Sequence, residues 1–164
     1  MLLAASFFFS GSEASIFSLS KLDLEKIKNS KPSIYKTISE LLNNPSDVLI
    51  TILFCNEITN ILIALVASST FYIILREKSW KIIILISVCI TTPVILFLGE
   101  LMPKSIAMKY PIKFSQIASP TISILIKLLT PIRWLISAFV EKIIAIIHFP
   151  ADQQLSMKES EFRT

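Results

Sequence analysis

The sequence predicts an all-α membrane protein with three transmembrane helices and further helices at the cytoplasmic interface. Hydrophobic residues make up 53% of the 164 residues. Charged residues make up only 17%, against about 25% in an average soluble domain. Several apolar runs also approach the roughly 20 residues that a helix needs to cross a bilayer. The net charge of +4 is not accompanied by a basic groove with interleaved aromatics, so nucleic acid is not an expected partner.

Three apolar runs are candidate transmembrane spans when they are measured against the thickness of a bilayer. They cover residues 1 to about 20, about 48–75 and about 82–102. The third run contains Pro93, which removes a backbone donor and predicts a kink or local unwinding. We expect irregular backbone there and around Gly99-Glu100, because freed carbonyls inside a membrane must face protein or a cavity.

The remaining segments are predicted to lie along the membrane surface or beyond it. Residues 21–45 are rich in lysine and read as two short amphipathic helices. Residues 114–149 are apolar but are cut by Pro131 and several charges, so two interfacial helices are favoured over a fourth span. The transmembrane domain is thus expected to cover residues 1–149, and the polar residues 150–164 are expected to be a linker toward a soluble domain.

Basic residues set the expected orientation of the chain in the membrane. The segment between the first two spans and the segments after the third span carry more lysine than the turn at Arg76–Lys81. The positive-inside rule then places the C-terminus in the cytoplasm and the N-terminus outside.

Three polar side chains stand out within the second and third runs. Glu100 ends a long apolar run, where an acid is by default a functional-site hypothesis, but an ion pair with Lys104 four residues later is the alternative. Asn56 and Asn60 are also four residues apart and therefore share one helical face. Their amide oxygens suit Mg²⁺, Ca²⁺ or Na⁺, and hydrogen bonding between helices is the alternative. Glu57 lies off that face.

The first run offers hydroxyl groups beside a glycine. Ser10 and Ser12 flank Gly11, and Glu13 follows as a residue that could face a cavity or the cytoplasmic mouth. One carboxylate, two amides and one hydroxyl from three spans would form an all-oxygen site, which suits a hard cation. No nucleophile and base pattern is visible, so the chain is not expected to be an enzyme.

Three segments together resemble the signatures of the CorC/CNNM (cyclin M) transmembrane family. They are Phe8-Phe9-Ser10-Gly11-Ser12-Glu13-Ala14, Leu53-Phe54-Cys55-Asn56-Glu57-Ile58-Thr59-Asn60-Ile61 and Gly99-Glu100-Leu101-Met102-Pro103-Lys104. Their order, their spacing and the lysine-rich segment after the first span are also similar to that family.

The resemblance implies a homodimeric Mg²⁺ transporter in the bacterial inner membrane that exports Mg²⁺ coupled to Na⁺ entry. It implies that Ser10, Asn56, Asn60 and Glu100 hold the dehydrated ion, with Ser12 as the alternative to Ser10. It also implies a cytoplasmic CBS domain in the full-length protein, and no nucleotide site within this chain. The second signature departs from the usual Gly-Asn-Asn, because it reads Cys55-Asn56-Glu57.

Two other functions remain open at this point. One is a membrane regulator or scaffold that senses Mg²⁺ without moving it, and flux measurements would separate it from a transporter. The other is a membrane-active haemolysin, which would make vesicles leak large solutes.

Overall fold

Every regular element that the structure describes is helical. The computed structural model describes residues 1–131, and the all-α prediction is confirmed for this part of the chain. In chain order the helices are α1 (Leu2–Phe17), α2 (Lys21–Ser30), α3 (Pro32–Asn43), α4 (Pro45–Ile74), α5 (Trp80–Val94), a π-helix (Ile95–Leu101), α6 (Met102–Lys109) and α7 (Pro111–Leu128).

Two helical runs are long and apolar enough to cross a membrane on their own. One is α4, with 30 residues and a mean hydropathy of 2.1 in its most apolar stretch. The other is Trp80–Lys109, also 30 residues with a mean hydropathy of 2.7, formed by α5, the π-helix and α6. It extends past the predicted end near residue 102, because Leu101 and Met102 keep helical φ and ψ values and Pro103 does not end the helix. The chain is therefore a multi-pass membrane protein.

The first predicted span is shorter than expected. α1 has 16 residues and is about 24 Å long at 1.5 Å per residue, which is less than the ~30 Å hydrocarbon core. It is long and apolar enough for a span only when it is taken together with α2, and the chain bends by 105° between the two helices. The bend is fixed at Ser20, whose side chain accepts from the backbone N–H of Asp23 while the Asp23 side chain accepts from the Ser20 N–H. This capping box satisfies two N–H groups that the start of α2 would otherwise leave free.

The lysine-rich segment forms two helices, α2 and α3, as the sequence predicts. Each buries only a narrow apolar stripe, with Ile27 buried in α2 and Ile38 and Leu41 in α3. Most of their lysines are exposed. α2 packs on α3, and α3 packs on α7. The position of these helices at a membrane surface stays a prediction.

α7 packs more deeply than the predicted surface helix. It begins at Pro111 and contacts α1, α3 and α4. Four of its residues, Ser115, Ala118, Ser119 and Ile122, are buried. Small side chains along one face allow such close packing of helices in membrane proteins. The predicted second helix after Pro131 and the predicted linker at 150–164 lie outside the described residues.

α1 occupies the centre of this arrangement. It packs against α4, α6, α7 and the π-helix. At its C-terminal end, Ile16 belongs to a core cluster with Leu41, Val48, Ile52 and Ile122. Two of its buried serines, Ser6 and Ser10, contact the two long helical runs, and this face of α1 forms one wall of the site described next.

Candidate cation-binding site

The backbone of the third span is irregular where the sequence predicts it. Pro93 lies inside α5, and the π-helix Ile95–Leu101 follows within the next turn and contains Gly99 and Glu100. A π-helical turn carries an extra residue and is frequent at functional sites. Pro103 has no N–H to offer to the carbonyls one turn before it. The backbone oxygens around Gly99 are therefore available to groups outside their own helix.

Ser6 lies at the centre of a cluster of oxygen atoms from three segments. Its Oγ lies 2.9 Å from Asn60 Oδ1, 3.2 Å from Asn56 Oδ1 and 3.5 Å from the Gly99 carbonyl oxygen. The Ser6 side chain is fully buried. A hydroxyl carries one proton, so it can donate to only one of these three acceptors at a time. The cluster therefore holds more lone pairs than protons, an arrangement that a cation stabilises.

Glu100 adds a single negative charge next to this cluster. Asn60 Nδ2 donates to Glu100 Oε1 at 3.1 Å. This bond fixes the orientation of the Asn60 amide, because its nitrogen faces the carboxylate and its oxygen consequently faces Ser6. The Asn60 and Glu100 side chains are both half-buried. The second and third spans thus present a connected amide and carboxylate to the same point of α1.

The predicted serine, Ser10, lies beside the cluster rather than at its centre. Ser10 Oγ donates to the backbone carbonyl of Glu100 at 3.3 Å. Ser12, the alternative, donates to the Phe8 carbonyl of its own helix at 2.6 Å. Sequence reasoning missed Ser6, which contacts the amides directly. The available signal was its spacing, since Ser6 is four residues before Ser10 and shares its helical face.

Gly99 permits the close approach of α1 to the π-helix. A Cβ atom built on Gly99 would lie 2.7 Å from Ser6 Oγ, which is inside the contact distance of the two atoms. Gly11 has an equivalent role on the other side of α1, because a Cβ there would overlap the ring of Phe114 from α7. Both glycines that the sequence pairs with acids are thus positions of tight helix packing.

The alternative interpretation of Glu100, an ion pair with Lys104, is not what the structure contains. Lys104 Nζ instead contacts Glu13 Oε2 at 3.1 Å, which joins α6 to α1. Glu13 is therefore neutralised by a neighbouring cation, and Glu100 is the acid that remains beside the amides. Glu57 is exposed on α4, in agreement with its predicted position off the face of Asn56 and Asn60.

The chemistry of the donor set indicates which ion it could hold. Within residues 1–131 no group of three or more His, Cys, Asp or Glu side chains is placed to hold a metal. The candidate ligands are instead hydroxyl, amide, carbonyl and carboxylate oxygens, which favour Mg²⁺, Ca²⁺ or Na⁺ over soft transition metals. Sulfur and imidazole ligands, which zinc or copper would need, are not part of this cluster.

Comparison with known proteins identifies the family of this chain. The chain matches the family described as "Cyclin M transmembrane N-terminal domain" over residues 1–164. It belongs to the cyclin M (CNNM) family. The resemblance seen in the three sequence signatures is thereby confirmed, and the family description is that of a transmembrane domain.

Two bacterial relatives extend the comparison. A "UPF0053 protein" of Haemophilus influenzae is 28% identical over 159 residues, which cover 97% of this chain and 37% of that protein. The "UPF0053 inner membrane protein YfjD" of Escherichia coli K12 is 27% identical over 159 residues, covering 96% of this chain and 36% of that protein. This CNNM chain thus spans just over a third of the length of these relatives.

Proposed function

We propose that this CNNM chain is the ion-carrying domain of a Mg²⁺ transporter that exports Mg²⁺ coupled to Na⁺ entry. The proposed ligands are the oxygens of Asn56, Asn60 and Glu100 together with a serine of α1. The observation that carries the proposal is the convergence of amide, hydroxyl and carbonyl oxygens on the one proton of Ser6, beside a carboxylate.

The charge of the site supports transport rather than permanent binding. Glu100 contributes one negative charge, and Glu13 is already paired with Lys104. A divalent ion held by one carboxylate and neutral oxygens keeps a net positive charge, so it can leave the site when the surrounding helices move. Mg²⁺ dehydrates reluctantly, so the number of protein oxygens matters for binding it without its water shell.

The structure also suggests which elements would move. The π-helix connects two regular helices at the site, and irregular segments inside spans are typical of alternating-access transporters. We propose that the chain acts as a homodimer in the inner membrane, with its C-terminus in the cytoplasm and a CBS domain attached there. These partners and this orientation rest on the family resemblance and on the distribution of lysines.

Transport assays on site variants test the proposal directly. Mg²⁺ flux is measured with an indicator sealed inside proteoliposomes, with and without a Na⁺ gradient. We expect Glu100→Ala and Asn60→Ala each to abolish flux while the oligomer elutes unchanged, because each removes an oxygen from the site. Glu77→Ala and Asn29→Ala, which alter exposed residues outside the apolar helices, serve as matched controls. Wild-type flux in Glu100→Ala would overturn the site, and Mg²⁺ binding without any flux would favour the sensing regulator.

Three serine variants on α1 separate the predicted ligand from the observed contacts. We expect Ser6→Ala to reduce flux most strongly, because Ser6 contacts both amides. Ser10→Ala is expected to have a smaller effect through the Glu100 backbone. Ser12→Ala is the control, because its hydroxyl bonds within its own helix. A larger loss in Ser12→Ala than in Ser6→Ala would contradict the proposed arrangement.

A further inference from the structure

A cleft at the junction of α6 and α7 is not used by the candidate cation site. It is an open cleft with a volume of about 360 Å³, and it is lined by Asp23, Lys109, Tyr110, Pro111, Ile112 and Lys113. We name these six residues the elbow cleft. Helix α6 ends at Lys109, the backbone of Tyr110 leaves the helical region with φ −128° and ψ 55°, and Pro111 starts α7.

The position of the elbow cleft relative to the membrane follows from the helix that leads into it. The apolar run Trp80–Lys109 is a span by length and hydropathy, and Lys109 is its last residue. The end of a span lies at the level of the lipid headgroups, where tyrosine and lysine are enriched. Tyr110 is 53% exposed, and Lys109 Nζ lies 5.7 Å from the centre of its ring. The elbow cleft therefore opens at headgroup depth.

The charge of the elbow cleft remains positive although one acid lines it. The carboxylate of Asp23 already accepts from the Ser20 N–H at 3.1 Å and from Ser20 Oγ at 2.7 Å. These bonds hold the pKa of Asp23 below its usual value, and the bond from the Ser20 side chain has the larger effect. Lys26 also lies 4.0 Å from Asp23. Within residues 1–131, neither Lys109 nor Lys113 has a carboxylate at ion-pair distance.

The lining combines two lysine residues, Lys109 and Lys113, with an apolar edge. Tyr110, Pro111 and Ile112 form that edge, between Lys109 and Lys113 in the chain. A free phosphate ion gains nothing from apolar contact. A phospholipid offers an anionic phosphate next to its glycerol and acyl carbons, so its charge and its apolar part match the two parts of the lining. Basic pockets beside membrane helices bind such headgroups.

We propose that the elbow cleft binds the headgroup of an anionic phospholipid. Lys109 and Lys113 contact the phosphate, and the apolar edge contacts the glycerol and the first acyl carbons. The bound lipid would then sit at the joint between the third span and α7. This binding does not require that the chain transport Mg²⁺.

Lipid binding to the full-length protein tests the proposal. Detergent-solubilised protein is titrated with phosphatidylglycerol or with phosphatidylcholine of the same acyl chains, and bound lipid is counted by native mass spectrometry. The tested variant is Lys109→Gln with Lys113→Gln. The matched control is Lys78→Gln with Lys81→Gln, which removes two lysines beside Trp80 at the opposite end of the same span.

We expect the elbow variant to bind phosphatidylglycerol roughly 30-fold more weakly, which corresponds to about 1 kcal/mol for each lysine. The control variant should bind as the wild type does, and phosphatidylcholine binding should not change in either variant. An equal loss in both variants, or no loss in the elbow variant, would overturn the proposal. Inorganic phosphate and acyl-free glycerophosphoglycerol are also tested as competitors of bound phosphatidylglycerol. If the two displace it equally well, the proposal is overturned, because the cleft would then be a site for free anions.

Discussion

Gly99→Ala is the substitution that probes the candidate cation site most selectively. An added Cβ would lie 2.7 Å from Ser6 Oγ, while its next neighbours, Ser6 Cβ and Ile95 Cγ2, lie at 3.5 and 3.8 Å, which are ordinary contacts. The substitution therefore disturbs one atom. Ordinary contact begins near 3.4 Å, so the hydroxyl must retreat by about 0.7 Å (3.4 minus 2.7 Å).

This displacement of the hydroxyl would break the hydrogen bonds between Ser6 and the side-chain amides of Asn56 and Asn60. The bond from Ser6 Oγ to Asn60 Oδ1 is 2.9 Å long, and it weakens steeply when it is lengthened and bent. We expect the affinity for Mg²⁺ to fall by about 10- to 100-fold, the usual cost of losing a group that orients metal ligands. Isothermal titration calorimetry of the purified protein measures this affinity.

A double-mutant cycle shows whether the effect passes through Ser6. When Ser6→Ala has already removed the hydroxyl, the Cβ of Gly99→Ala meets no atom closer than 3.5 Å. The double variant should therefore bind Mg²⁺ as Ser6→Ala does, a strong departure from additivity. Additive losses, or wild-type affinity in Gly99→Ala alone, would refute this reasoning.

Two further predictions concern the contacts that hold α1 against its neighbours. Glu13→Gln should lower Mg²⁺ affinity by roughly tenfold, about 1.4 kcal/mol, because the released Lys104 ammonium can turn to Glu100 one turn earlier. Adding Lys104→Gln should restore affinity, as a titration of both variants would reveal. Gly11→Ala should destabilise the protein by about 1–3 kcal/mol through overpacking against the ring of Phe114. Thermal unfolding in detergent measures the loss, and Phe114→Leu should recover part of it.

Each of these two predictions has a clear opposing result. Unchanged affinity in Glu13→Gln would mean that Lys104 does not compete for the site. A Gly11→Ala variant as stable as the wild type would mean that α1 and α7 are not packed as closely as the structure has them.

The sequence predicted the features that depend on long or regular patterns. The span α4 follows from an apolar run that no proline or lysine interrupts. The shared face of Asn56 and Asn60 follows from their spacing of four residues within a helix. The irregular backbone of the third span follows from Pro93, because proline in an apolar helix leaves carbonyls without donors.

The features that the sequence did not predict depend on packing between distant segments. Ser6 resembles any small residue that helps helices to pack, and only its position against Asn60 makes it distinctive. Lys104 had an acid four residues before it, but it contacts Glu13 from another helix. The burial of α7 depends on the glycine of α1, since Gly11 lets the ring of Phe114 approach. The spacing of Ser6 and Ser10 marks a shared helical face, but no pattern in the sequence identifies the partners of these contacts on other helices.

The position of a bound ion tests the central claim most directly. Mn²⁺ substitutes for Mg²⁺ at oxygen sites, and its anomalous diffraction in a crystal of the protein locates it without assumptions about the ligands. We expect one strong peak at about 2.1 Å from Asn60 Oδ1, also within reach of Ser6, Asn56 and Glu100, and its absence in Glu100→Ala. A peak elsewhere, with none between these residues, would contradict the account.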